Sequence, residues 1–183
     1  MASGQGVILP DNETYSAEPN PNNDGTPTKG FAKVFEVSPG KYTGSDGNDR
    51  VSISDLVKDN DQIIKTGAGD DIFNFNGSES RLPQNVDRVN GIVDLGTGGN
   101  DGVFLGFQLD DYKYTVRSDG GLKIQYVGDN GDVDGVAVTF RGAEYFTFRN
   151  VDDVTGQNFQ TYTISHDELV ARILAASPNP DQV

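Results

Sequence analysis

The amino-acid sequence predicts an all-β chain that closes on a single helix, and three observations carry that expectation. Residues 110–164 contain short runs in which side-chain character alternates with a period of two, at Leu122, Ile124 and Tyr126, at Val136, Val138 and Phe140, and at Glu144, Phe146 and Phe148. That is the pattern of half-buried strands in an antiparallel meander. Residues 41–107 are dense in Gly and Asp, the residues of tight turns. Helical spacing of apolar residues is seen over about 166–176, where Leu169, Val170, Ile173 and Leu174 form a stripe behind a Ser165-x-x-Glu168 capping box.

Taken in order, residues 1–30 read either as a disordered tail or as an extended arm that orders against a neighbouring subunit. Residues 11–29 are rich in Asn, Pro, Asp, Gly and Thr, with Tyr15 as the large apolar residue among them. Residues 31–37 (Phe-Ala-Lys-Val-Phe-Glu-Val) read as a strand closed by Pro39-Gly40. The Gly/Asp-rich zone follows, completing a unit over 31–107. A segment over 108–164 then reads as antiparallel strands at 112–117, 122–127, 136–140 and 144–149, separated by turns at 118–121, 128–135 and 141–142. Residues 165–183 supply the helix, expected to cap an open sheet end, and a Pro/Asn-rich tail.

Composition narrows the function. The chain has 183 residues, of which 34% are apolar and 23 are glycine, so a thin core is expected, with something besides burial needed to hold it. There are 28 acidic residues against 14 basic, a net charge of -14. Phosphate recognition needs a basic face, so a nucleic-acid partner is excluded and a cationic one favoured. Asp outnumbers Glu by 22 to 6. The short Asp side chain fits inside turns and bonds local backbone, so the bias places the acids in turns. With no Cys there is no disulfide, thiolate metal site or Cys nucleophile. No N-terminal signal peptide is visible. No apolar run approaches the roughly 20 residues a membrane helix needs, so no membrane insertion is expected.

Three segments in the Gly/Asp zone are related: Gly44-Ser45-Asp46-Gly47-Asn48-Asp49-Arg50-Val51-Ser52, Thr66-Gly67-Ala68-Gly69-Asp70-Asp71-Ile72-Phe73-Asn74, and Gly96-Thr97-Gly98-Gly99-Asn100-Asp101-Gly102-Val103-Phe104. Each places an Asp at its sixth position and an apolar residue two further on. Glycines allow a tight turn that aims carbonyl oxygens inward. The Asp adds a carboxylate, and hard Ca2+ takes about six to eight oxygens of both kinds.

This pattern resembles the calcium-binding nonapeptide G-G-x-G-x-D-x-U-x of the RTX (repeats-in-toxin) family. The resemblance implies a short parallel β-roll in which stacked turns share ions. It implies carboxylate ligands Asp49, Asp71 and Asp101. Carbonyl donors would come from near Gly44, Asp46 and Asn48, from Thr66, Ala68 and Asp70, and from Gly96, Gly98 and Asn100. Core positions would be Val51, Phe73 and Val103. Asp61-Gln62-Ile63 and Asp87-Arg88-Val89 are weaker half-turns with the Asp and the apolar residue but no glycines. The Asp positions 49, 61, 71, 87 and 101 are spaced 12, 10, 16 and 14 rather than by a constant nine, so the roll is interrupted and one to three ions are expected. Residues 101–155 resemble a β segment that often follows such repeats in secreted bacterial proteins, although Gly142-Ala143 departs from its usual residues before Glu144. The acidic loop 129–135 reads first as a solvated hairpin loop and second as a further calcium site.

Nothing points to catalysis. His166 is the single histidine and sits in no recognisable motif. Close carboxylate pairs are unavoidable with 22 Asp residues. Tyr112, Tyr114 and Tyr126 read as half-core rather than as a sugar-binding face. The expected function is therefore that of a non-enzymatic, calcium-binding structural or assembly protein, such as a surface-layer, matrix, filament or virion subunit, that self-associates or joins a larger assembly. The alternative is a calcium-dependent adhesin or glycan-binding module. The resemblance implies an extracellular or cell-surface location reached by type I secretion.

Overall fold

A computed structural model of the chain describes residues 6–13, 35–38, 41–52, 61–75, 90–127, 137–150 and 160–177. Asp87, the loop 129–135, the rest of the N-terminal arm and the tail beyond 177 lie outside the described residues. Among those described, the protein is mostly β-strand with one α-helix near the C-terminus. The strands are β1 (Val7–Ile8), β2 (Phe35–Ser38), β3 (Lys41–Thr43), β4 (Arg50–Ser52), β5 (Asp61–Lys65), β6 (Ile72–Phe75), β7 (Asn90–Asp94), β8 (Gly102–Leu105), β9 (Tyr112–Val116), β10 (Leu122–Tyr126), β11 (Ala137–Arg141), β12 (Tyr145–Asn150) and β13 (Gln160–Ser165), followed by α1 (His166–Ala176).

These strands form two sheets, one of order β1-β9-β10-β11-β7-β5-β3-β2 and one of order β13-β12-β8-β6-β4. The centre of each sheet is parallel. In the larger, β3 pairs with β5, β5 with β7 and β7 with β11; in the smaller, β4 pairs with β6, β6 with β8 and β8 with β12. Among the described residues, the chain thus crosses from the larger sheet to the smaller four times, β3 to β4, β5 to β6, β7 to β8 and β11 to β12. Each crossing is a short turn, and the four turns stack.

The fourth rung corrects the sequence reading. Strands β9, β10 and β11 pair antiparallel, but β11 then joins β7 in parallel, and β12 lies parallel to β8 while pairing antiparallel with β13. Residues 137–150 therefore extend the parallel stack on one side while keeping the expected antiparallel partners, β10 and β13, on the other. Alternation shows which face of a strand is buried and is the same for either strand direction.

Inward-facing residues run in rows set by the parallel register. Val51, Phe73, Val103 and Phe146 align across the smaller sheet, and Tyr42, Ile64, Val93 and Phe140 across the larger. Phe73, Phe75, Phe140, Phe146, Phe148, Tyr112 and Tyr114 are fully buried and belong to one continuous core. The Phe73 and Phe140 rings meet edge-on with centroids 5.1 Å apart. The expected thin core is therefore corrected: large rings, each able to bury roughly 150–250 Å², supply interior that a modest apolar fraction hides.

Described segments near both termini, residues 6–13 and 160–177, close on this body. Val7 pairs opposite Tyr114, Val7 and Leu9 are buried, and Glu13 forms an ion pair with Arg172 of α1. Residues 6–13 of the arm thus lie against their own chain. Helix α1 is capped by Ser165, whose hydroxyl accepts from the Glu168 N–H at 3.3 Å, and it buries Leu169 and Ile173. It packs against β9 of one sheet and β13 of the other, at the end of the stack away from β2 and β4. Among the described residues no helix is long and apolar enough to cross a membrane.

Candidate metal centre

The turns that join the sheets put Asp49, Asp71 and Asp101 in register, each immediately before a strand of the smaller sheet. All three are fully buried. The Asp49 N–H donates to Asp71 Oδ1 at 2.8 Å, the Asp71 N–H to Asp101 Oδ1 at 2.7 Å, and the Asp101 N–H to Glu144 Oε2 at 2.6 Å. A second ladder runs beside it in the opposite sense. The Asp70 N–H donates to Asn48 Oδ1 at 3.0 Å, and the Asn100 N–H to Asp70 Oδ1 at 2.9 Å. Of the residues expected as carbonyl donors, Asn48 and Asp70 thus use side-chain oxygens to stitch neighbouring turns together, with Asn100 joining through its backbone N–H.

One oxygen on each buried Asp is left over. Asp49 Oδ1, Asp71 Oδ2 and Asp101 Oδ2 are buried and lack a hydrogen-bond partner. An orphaned buried polar atom costs about 1–3 kcal/mol, and more when charged. Burial pushes the Asp71 carboxyl up; the Thr66 hydroxyl and Asp49 N–H oppose this, while the charges of Asp49 and Asp70 add to it. Burial likewise lifts Asp101 to about 6, opposed by the Asp71 N–H and reinforced by Glu144, Asp71 and Asp70. Adjacent strands lie about 4.8 Å apart. Unit charges at that spacing repel by on the order of 3 kcal/mol at an effective dielectric near 20.

The backbone between the turns is built for close approach. A Cβ at Gly44 would sit 2.4 Å from both Asp49 Oδ2 and the Thr66 carbonyl oxygen, so glycine leaves open a cradle lined by oxygen. Gly96, at φ +90°, lets the third turn press onto the second, since a Cβ there would lie 1.8 Å from the Gly67 carbonyl oxygen. Carboxylate oxygens without donors, carbonyls beside them and no sulfur or imidazole are the donor chemistry of a hard cation such as Ca2+.

Other sequence-based candidates are placed differently. Asp46 is exposed in the first turn. Ala68 and Gly98 are exposed at their turn tips. Asp61 is the first residue of β5, in a strand rather than in the turn row. His166 opens α1 with its Nδ1 3.2 Å from Asp167 Oδ1. Among the described residues no three acidic or histidine side chains converge on one point, so any cation in the row would draw on backbone carbonyls as well as carboxylates. Sequence reasoning left Glu144 out of the site because the glycine pattern stops before it. No protein-family model matches the chain, and a search of curated proteins finds no match.

Proposed function

We propose that the chain is a calcium-binding, non-enzymatic structural protein whose acidic turn row holds Ca2+ between neighbouring rungs, as an interrupted calcium β-roll. The observation that carries this reading is the set of three buried carboxylate oxygens without partners, one on each stacked turn. Asp49, Asp71 and the Thr66 carbonyl would hold an ion between the first two turns, and Asp71 and Asp101 an ion between the second and third. Bound there, Ca2+ supplies positive charge that offsets carboxylate repulsion and ties adjacent rungs together. The large aromatic core makes this a local cross-link rather than a substitute for burial.

Extracellular calcium modules typically bind at ~10⁻⁴–10⁻³ M, so the row would be filled in the millimolar calcium outside a cell. That environment, with type I secretion as the route and self-association or a larger assembly as the use, completes the proposal. The test is equilibrium dialysis of the chelator-stripped chain against Ca2+, with sedimentation velocity on the same samples. Saturable binding of two or more ions with calcium-dependent growth in size is expected. An absence of binding would sink the metal reading, and binding by a strictly monomeric chain would sink the assembly reading.

A further inference from the structure

The fourth turn is truncated. Six residues join β3 to β4 and six join β5 to β6, seven join β7 to β8, but three, Gly142-Ala143-Glu144, join β11 to β12. Its contacts nevertheless repeat those of the others. The N–H that follows each carboxylate residue donates to the carbonyl of the rung before: Ile72 to Asp49 at 2.9 Å, Gly102 to Asp71 at 2.9 Å and Tyr145 to Asp101 at 3.3 Å. The carboxylate ladder ends on Glu144, which accepts from the Asp101 N–H where an Asp does so in the two gaps before. Glu144 occupies a fourth Asp position with one more methylene, and it is exposed at the edge of the row where the three Asp are buried.

We propose that Glu144 is a metal ligand closing a third cation position, between the third and fourth turns, built from Asp101 Oδ2, the Glu144 carboxylate and the Gly96 carbonyl. The inference rests on the calcium reading above and extends it to a residue outside the nonapeptide pattern. The row has three gaps and three orphaned carboxylate oxygens, one on the earlier Asp of each gap, and Asp101 Oδ2 is the one belonging to this gap. Asp101 is fully buried, and its N–H donates to Glu144 Oε2 at 2.6 Å, which fixes the Glu144 carboxylate beside it. Gly142, at φ +73°, brings the fourth turn over the third so closely that a Cβ would lie 2.4 Å from the Gly96 carbonyl oxygen. All these donors are oxygens, which selects a hard divalent cation. A three-residue turn offers fewer carbonyls than a six-residue one, so this position is the weakest of the three and fills last.

The full-length chain and its Glu144→Gln variant, in which the amide oxygen still accepts from the Asp101 N–H, are compared by equilibrium dialysis against Ca2+. The variant is expected to bind one ion fewer, losing the weakest step of the isotherm while the tighter steps stay unchanged. An unchanged ion count overturns this proposal and leaves the calcium reading standing; no binding by the wild type overturns both. A second measurement covers a variant that fails to fold. Tyr145 lies against Gly102, next to Asp101, so its ring would sensitise Tb3+ emission from the third position. Tyr145→Phe is expected to remove the emission that titrates last, and full retention of that phase overturns the proposal.

Discussion

Replacing Asp71 by Asn separates two roles of one side chain. The amide oxygen still accepts from the Asp49 N–H, now at 2.8 Å from Asp71 Oδ1, but the charge is gone. Without calcium, that charge is a liability: Asp71 is fully buried, one of its oxygens has no partner, and Asp49 and Asp70 add repulsion. Relief of a buried, poorly satisfied group is worth on the order of 1 kcal/mol. With calcium, the same residue faces two gaps. Each ion held at one hundred times its Kd stabilises the fold by about 2.7 kcal/mol, so losing both costs up to about 5 kcal/mol. One kcal/mol moves Tm by roughly 2–4 °C for a chain of this size. Asp71→Asn should therefore raise Tm by a few degrees in EGTA and lower it by about 10–20 °C in saturating Ca2+. Melting curves by circular dichroism in the two buffers give the answer, and a shift of the same sign and size in both would refute the reasoning.

Three further outcomes are expected. Asp101 has a folded pKa of about 6 against an ordinary 3.8, so its protonated form favours the fold. Relative to Asp101→Asn, the calcium-free wild type should be most stable below about pH 4 and lose that advantage as pH rises through about 6, whereas in Ca2+ the trend should reverse; urea midpoints at several pH values check this. Gly98 and Gly99 both have positive φ, but a Cβ at Gly98 meets nothing within 4 Å while one at Gly99 would lie 1.9 Å from the Gly69 carbonyl oxygen. Gly98→Ala should cost only the backbone strain of about 1–2 kcal/mol and Gly99→Ala clearly more, with equal costs counting against the close stacking of turns. Ser165→Ala removes the acceptor for the Glu168 N–H and should cost about 1 kcal/mol by urea titration, with or without calcium.

Local signals were legible where local chemistry decides the structure. The Ser165 cap and the stripe around Leu169 and Ile173 mark α1, and the Gly/Asp segments mark the turns that carry Asp49, Asp71 and Asp101. What escaped depends on partners distant in sequence. The parallel pairing of β11 with β7 and of β12 with β8 is invisible to alternation, because Val138, Phe140, Phe146 and Phe148 would be buried in either strand direction. Glu144 gives no local sign of its place in the carboxylate ladder, since the truncated turn keeps only Gly142 of the glycine pattern that marks the other three and uses a longer side chain. The docking of Val7 and Leu9 is likewise hidden, because two apolar residues beside a polar stretch read equally well as the start of a loose arm. The interior was underestimated because an apolar percentage counts residues, whereas a Phe row fills volume.

The central claim is that divalent cations stabilise the folded chain at its row of buried carboxylates. Thermal melting of the wild type in EGTA and in about 10 mM Ca2+, matched in ionic strength with NaCl, addresses it most directly. Two ions at one hundred times Kd should raise Tm by about 10–20 °C, with a saturable dependence on calcium concentration. A melting temperature indifferent to Ca2+ under those matched conditions would contradict the account.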